Sequence, residues 1–170
     1  AIIRQYEIDG DAPKAIDLPP GPHGVRAIQY RVQDATPRQE LAGSIAFYWD
    51  DASTPAVNLP LQYFFGQAFS PAPFQSLLMG ATASGYYNFV PMPYRSKAAV
   101  KIEAGSGQKG ILTLYFQPLS ANAEDFGYLH AIYQEQTPVE NGLHYPWLIT
   151  KGRGHYLGLF LATEGAFSEP

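Results

Sequence analysis

The sequence predicts an all-β fold, a jelly-roll β-sandwich built from two antiparallel sheets. Short segments of alternating apolar and polar residues recur along the chain, and turns rich in glycine and proline separate them. No segment shows a convincing 3.6-residue period, although residues 73–79 could hold one helical turn. The whole chain, residues 1–170, is expected to form a single domain that buries roughly two-thirds of its unfolded surface.

Four strands are predicted in the first third of the chain, at residues 2–8, 25–32, 44–50 and 56–59. The third of these is the clearest, because Ile45, Phe47 and Trp49 alternate with residues that point the other way, including Tyr48 and Asp50. Residues 18–24 contain too much proline and glycine to be anything but a loop. Residues 61–65 form an aromatic segment that ends at a glycine.

The most distinctive stretch is residues 86–95, where aromatic residues crowd around Pro91 and Pro93. Proline donates no backbone hydrogen bond, which predicts a rigid extended segment at a sheet edge or at the start of a strand. Residues 97–103 then alternate, with Ala98, Val100 and Ile102 on one face. The sequence therefore predicts a stiff aromatic edge followed by a half-buried strand.

The remaining segments complete the predicted sandwich. Residues 67–84 contain two prolines and are predicted to be a long surface loop. Further strands are expected at residues 110–117, 127–136 and 154–163. The last of these is apolar on both faces, which is typical of a strand that is covered on both sides.

Composition limits the function classes. The net charge of −4 provides no electrostatic footprint for nucleic acid or for an anionic membrane surface, and no apolar run is long enough to span a bilayer. There is no cysteine, so disulfides and thiolate metal sites are excluded, and the compartment stays open, with an extracellular or periplasmic location favoured. No cofactor is expected.

Two patterns that could carry chemistry are weak. The glycines of residues 105–110 have phosphate-loop spacing, but a strand rather than a helix is predicted after them, so a hairpin turn is expected. The four histidines, His23, His130, His144 and His155, show no metal-ligand spacing, and no metal site is predicted. For His130 the ordinary interpretation is a half-buried, satisfied imidazole on a strand.

Evidence for catalytic groups is also slight. No serine or cysteine nucleophile motif is present. Two acidic pairs, Asp50–Asp51 and Glu124–Asp125, could in principle support glycoside chemistry, but both are expected to be solvated turn residues. The surplus aromatic residues fit either a surface that stacks against sugar rings or core packing plus a subunit interface, and composition does not separate the two.

Several segments resemble the motifs of one family, in order, from about residue 21 to residue 161. The segment 47–51, Phe-Tyr-Trp-Asp-Asp, is similar to its Trp-Asp-Gly motif, and Pro91-Met92-Pro93-Tyr94-Arg95 is similar to its Pro-Met-Pro-Phe-Arg. Other matches are residues 55–61, 64–66, 129–131 (Leu-His-Ala against Phe-His-Ala) and 152–158. The family is domain of unknown function 2961, now glycoside hydrolase family 172, which includes enzymes acting on difructose dianhydride and exo-acting arabinofuranosidases.

The resemblance implies a jelly roll that forms the first of two per subunit, assembled as trimers or higher oligomers. The family's catalytic glutamates lie in Gly-Glu-Gly-Asp and Gly-Thr-Gly-Thr-Glu-Asp segments, which have no counterpart here, so no catalytic residue is assigned. By resemblance the chain would form the wall of a sugar pocket. Asp50 would accept a hydrogen bond, Arg95 and His130 would donate to hydroxyls, and Trp49 would stack on the sugar.

A second hypothesis belongs to a different class. The chain could be a stand-alone, catalytically inactive jelly roll that serves oligomeric assembly, as in a capsid or fibre, or that binds glycans. Its surplus aromatic residues would then lie in a subunit interface.

Overall fold

The computed structural model describes residues 1–33, 40–69, 72–120, 126–140, 142 and 144–165. The chain divides into two compact units, Ala1–Tyr133 and Gln134–Pro170. All strands of the described part lie in the first unit. No helix among the described residues is long and apolar enough to cross a membrane.

The first unit contains eleven strands and a single helical turn within the described residues. In chain order they are β1 (Ile2–Asp9), β2 (Lys14–Asp17), β3 (His23–Gln33), β4 (Gly43–Trp49), β5 (Val57–Pro60), α1 (Leu61–Phe64), β6 (Phe74–Gln75), β7 (Met79–Thr82), β8 (Gly85–Asn88), β9 (Met92–Tyr94), β10 (Ala98–Ala104) and β11 (Lys109–Pro118).

These strands form two antiparallel sheets. One is seven-stranded, in the order β1-β11-β3-β8-β7-β6, with β9 also paired to β3. The other is four-stranded, in the order β2-β10-β4-β5. One apolar core joins the two sheets, which confirms the predicted β-sandwich.

The core follows the alternation of the strands. Ile45, Phe47 and Trp49 of β4 are buried, as are Ala98, Val100 and Ile102 of β10, so both predicted inward faces are confirmed. The seven-stranded sheet contributes Ile28 and Tyr30 of β3 from the facing side. Burying each large side chain stabilises the fold by about 1.5–3 kcal/mol relative to leaving it exposed.

The aromatic stretch at residues 86–95 is divided between two strands. Strand β9 contains Pro93 and pairs with the first residues of β3, with Pro93 opposite Gly24. The edge position predicted from the prolines is confirmed for β9, which lies off the main path of its sheet. Strand β8, in contrast, is an inner strand between β3 and β7.

Several predicted elements need correction in this part of the fold. Residues 67–84 are not one long loop, because Phe74–Gln75 and Met79–Thr82 pair as β6 and β7. The turn between them is closed by the Ser76 hydroxyl, which donates to the Met79 carbonyl, so the predicted helical turn at residues 73–79 is wrong. Pro71 lies outside the described residues. The short strand β2 was missed, and residues 61–64 form a helical turn.

Two predicted strands are absent from the described structure. Residues 127–136 contain an isolated parallel bridge between Ala131 and Val57 and no strand. Residues 154–163 also form no strand, and Leu157 is 65% exposed rather than covered. The physical reason is that alternation gives a segment two faces, whereas a strand also needs a neighbouring strand to satisfy its backbone groups.

The glycine-rich segment after β10 is a hairpin turn, as predicted. The Gln108 backbone N–H donates to the Gly105 carbonyl at 2.8 Å, and Gly107 adopts a left-handed φ of 72°. Strand β11 follows directly, so the helix N-terminus that a phosphate loop requires is absent from this described segment.

Candidate functional site

The candidate site begins where β4 ends. Asp50 follows Trp49 and adopts a left-handed backbone conformation with φ of 48°, which non-glycine residues rarely take and which aspartate tolerates better than most. Its backbone N–H donates to the Lys97 carbonyl at 2.8 Å. The strained residue is therefore held in place by the segment that leads into β10.

The Asp50 carboxylate collects hydrogen bonds from two directions. Oδ1 accepts from the Ser96 backbone N–H at 2.7 Å, the Ser96 hydroxyl at 2.8 Å and the Lys97 backbone N–H at 3.0 Å. Oδ2 accepts from the Tyr128 hydroxyl. Partial burial raises the pKa of Asp50, but the bonds from Tyr128, Lys97 and Ser96 outweigh it and hold the pKa well below its usual range.

Tyr128 links Asp50 to Arg95. The Arg95 guanidinium carbon lies 5.0 Å from the centre of the Tyr128 ring, which is cation–π geometry. Burial, and then the hydrogen bond to Asp50, raise the pKa of Tyr128. At neutral pH the cluster thus comprises a carboxylate, a neutral phenol and a guanidinium. We call Asp50, Arg95 and Tyr128 the Asp50 corner.

Arg95 is exposed and oriented by the chain around it. Its guanidinium donates to the Phe126 carbonyl at 3.2 Å. On its other side, Gly21 packs so closely that a Cβ atom there would lie 2.5 Å from the Arg95 carbonyl oxygen, and the Gly21 N–H donates to Ser96 at 2.7 Å. A shallow crevice adjoins the guanidinium, too narrow to enclose a water molecule, and is lined by Pro93, Tyr94, Arg95, Leu119, Phe126 and Tyr128.

Trp49 lies on the opposite side of the β4 end. It is 3% exposed and stacks against Phe47 at 5.4 Å and Tyr94 at 6.3 Å between ring centres. Its indole N–H donates to the Leu129 carbonyl at 2.8 Å. The sugar-stacking role expected of Trp49 is therefore corrected, because the indole offers no ring face to a ligand in this structure and instead holds residue 129.

His130 follows the residue that Trp49 holds. The side chain is exposed, so the expectation of a half-buried imidazole on a strand is wrong. The next residue, Ala131, donates its backbone N–H to the Ala56 carbonyl at 3.0 Å. The backbone on both sides of His130 is thus fixed to the four-stranded sheet, while the imidazole is open to solvent.

The structure brings the predicted site residues to one chain segment, residues 126–131. Asp50 and Arg95 both contact Tyr128. On the buried side, Trp49 donates a hydrogen bond to the carbonyl of Leu129. Trp49 and Asp50 point in opposite directions, so the two side chains do not face one ligand. Sequence reasoning missed Tyr128, whose only signal was its position just before the Leu-His-Ala motif.

The two carboxylates of the Asp50–Asp51 pair have different environments. Asp51 is exposed and forms a 3.1 Å ion pair with Lys97, as a solvated turn residue would. Asp50 does not fit that interpretation, since its carboxylate is half-buried and hydrogen-bonded. Glu124 and Asp125 lie outside the described residues. Within the described ranges, no three histidine, aspartate or glutamate side chains come together as a metal site.

Comparison with known proteins identifies the family of the chain. A family model described as GH172 domain-like matches residues 22–112, which is more than half of the chain. The matched range contains Trp49, Asp50 and Arg95 but neither Tyr128 nor His130. No curated protein matches the chain. At the level of the family the fold is carbohydrate-active, and the chain belongs to the GH172 domain-like family.

Proposed function

We propose that this domain forms the wall of a sugar-binding pocket in a furanoside-processing glycoside hydrolase, as the jelly roll that does not carry the catalytic glutamates. The observation that carries the proposal is the Asp50 corner, in which an exposed guanidinium is held over Tyr128 beside a carboxylate. Family membership supplies the class of ligand. A pre-positioned polar cluster is what a binding wall requires, since sugar hydroxyls need donors and acceptors in fixed places.

The Asp50 carboxylate has acceptor capacity left for a ligand. A carboxylate has about four lone-pair sites, and Oδ1 of Asp50 already accepts three hydrogen bonds whereas Oδ2 accepts one. Oδ2 can therefore accept from a sugar hydroxyl. Arg95 is exposed, and its planar guanidinium presents N–H donors in a fixed fork at the edge of the corner.

His130 and Trp49 have different roles in this proposal. The exposed imidazole of His130 is available as a donor or acceptor for a hydroxyl. Trp49 contributes indirectly, because its hydrogen bond fixes the Leu129 carbonyl and with it the backbone next to His130. Catalysis is assigned to groups outside these 170 residues, because the family's glutamate motifs have no counterpart among them.

The test is a calorimetric titration of the intact chain with methyl arabinofuranoside and methyl fructofuranoside, with methyl glucopyranoside as the sugar control. The Arg95→Ala variant is expected to weaken furanoside binding by roughly tenfold or more, the loss of a hydrogen bond to a charged group. Arg4→Ala is the matched control, since Arg4 is also an exposed arginine but lies on β1, outside the Asp50 corner. Equal affinity in the wild type, Arg95→Ala and Arg4→Ala would contradict the proposal.

A second candidate function is oligomeric assembly through apolar contacts between copies of the chain, as trimers or higher oligomers. The observation that favours it is the exposure of large apolar side chains in the second unit, where Ile149 is 81% and Tyr156 is 62% exposed. Sedimentation velocity on the wild type and on Ile149→Ser tests it. A monomer across the concentration range in both proteins would exclude this function.

A further inference from the structure

The outer face of the four-stranded sheet contains a second depression, with a volume of about 280 Å³. Its lining runs from Asp50 across β4, β10 and β2. The residues that shape it are Asp17, Tyr48, Asp50, Lys97, Ala99 and Lys101. Its volume is close to the roughly 300 Å³ at the lower end of small-molecule sites.

The strand register explains why the surface is concave. Ala99 of β10 lies between Tyr48 of β4 on one side and Asp17 of β2 on the other, in directly opposed pairs. Alanine is short, so the floor lies below the ring of Tyr48 and the carboxylate of Asp17. An aromatic wall and an acidic wall thus face each other across an alanine floor.

The depression carries charged groups of both signs. Lys97 pairs with Asp51 at 3.1 Å, and Asp50 is bound by backbone and hydroxyl donors. Lys101 lies 5.0 Å from the centre of the Tyr48 ring, and Asp17 is exposed across the floor. Two carboxylates and two ammonium groups line the site, so both acceptors and donors are present, as the hydroxyls of a neutral sugar require.

We infer that this depression is a second sugar subsite and that the ligand is a neutral oligosaccharide of at least two residues, an inference that rests on the proposed function. Asp50 connects the Asp50 corner with the depression. Its carboxylate accepts a hydrogen bond from Tyr128 in the corner, and Asp50 also lines the depression. One sugar residue occupies the Asp50 corner, and the next lies on Ala99 against the Tyr48 ring. Asp17 accepts a hydrogen bond from it, and Lys101 donates one.

The test measures how affinity depends on ligand length. Arabinofuranose as the methyl glycoside and as the trisaccharide is titrated into the intact wild type, Tyr48→Ala, Tyr48→Phe and Ala99→Leu. The trisaccharide is expected to bind wild type more tightly than the monosaccharide by roughly three- to tenfold, the contribution of one aromatic stacking contact. Tyr48→Ala and Ala99→Leu lose this advantage without changing monosaccharide affinity, and Tyr48→Phe retains it. Tyr115→Ala, an outward tyrosine of the other sheet, is the control.

The failures of the two proposals are distinguishable. If wild type binds the monosaccharide but shows no advantage for the trisaccharide, or keeps that advantage in Tyr48→Ala, the second subsite is overturned and the proposed function stands. If wild type binds neither sugar, the proposed function and the second subsite are both overturned. If Tyr48→Ala instead lowers the sedimentation coefficient, the face is an interface between copies and the subsite is overturned.

Discussion

The two sides of the β4 end hold the same chain segment by different forces. On the buried side, Trp49 packs between Phe47 and Tyr94 and donates one hydrogen bond to Leu129. On the exposed side, the charged Asp50 carboxylate accepts a hydrogen bond from Tyr128. The buried side stabilises by area removed from water, and the exposed side by charge-assisted bonds that depend on pH. The difference separates what stabilises the fold from what is available to a ligand.

The largest effect on stability is expected from a substitution on the buried side. Trp49→Ala should lower the free energy of unfolding by about 3–5 kcal/mol, because it leaves a cavity in the core and an unpaired Leu129 carbonyl. Urea denaturation measures it, with Trp147→Ala as a control, since Trp147 is 56% exposed. A loss of the same size in both variants would contradict the division between the two sides.

The stability that the exposed side contributes should depend on pH. Because the folded-state pKa of Asp50 is depressed below the unfolded value of about 4, its contribution to stability is complete above about pH 5 and is lost as the pH falls from there toward the folded-state pKa. Asp50→Asn, which tolerates the left-handed backbone, should cost roughly 1–2 kcal/mol at pH 7 and progressively less at lower pH. Urea midpoints of wild type and Asp50→Asn between pH 3 and 7 measure the difference in stability. A difference that stays constant over this range would contradict the predicted pH dependence.

A smaller effect should follow from Tyr128→Phe. The variant removes the hydroxyl that bonds Asp50 but keeps the ring beneath Arg95. We expect a loss of about 1 kcal/mol, the usual value of one hydrogen bond. In a double-mutant cycle with Asp50→Asn, the two losses should not add, since both variants weaken the same charge-assisted contact. Additive losses would show that the hydroxyl stabilises the fold independently of Asp50.

The smallest effect is expected at the neighbouring aspartate. Asp51→Ala breaks the ion pair with Lys97, whose two side chains are 73% and 82% exposed. Exposed pairs contribute about 0–1 kcal/mol, so the urea midpoint should hardly move, and added salt should reduce even that change. A loss as large as that of Asp50→Asn would remove the distinction between the two aspartates.

The part of the structure that follows from local pattern could be predicted from the sequence. The alternation in residues 44–50 and 97–103 placed Trp49 and Val100 on inward faces, and the structure confirms both. The same alternation put Asp50 on the face opposite Trp49, and in the structure Trp49 is buried while Asp50 is partly exposed. Pro93 correctly indicated the edge position of β9.

The rest depended on contacts that no local pattern encodes. Tyr128 meets Asp50 across 78 positions of sequence, and the contact forms because the packed core and the Trp49 hydrogen bond bring the two segments together. The site could therefore be predicted only in part, by resemblance rather than by geometry. Residues 154–163 show the opposite failure, since their pattern suits a strand but no described neighbour pairs with them.

The most direct test of the central claim, that the Asp50 corner contacts sugar, is the NMR signal of the Arg95 side-chain Nε–H during titration of the intact protein with methyl arabinofuranoside. We expect this signal to shift saturably, with the dissociation constant found by calorimetry, while the Arg4 signal stays in place. A ligand that binds without moving the Arg95 signal, or that moves Arg95 and Arg4 alike, would contradict the account.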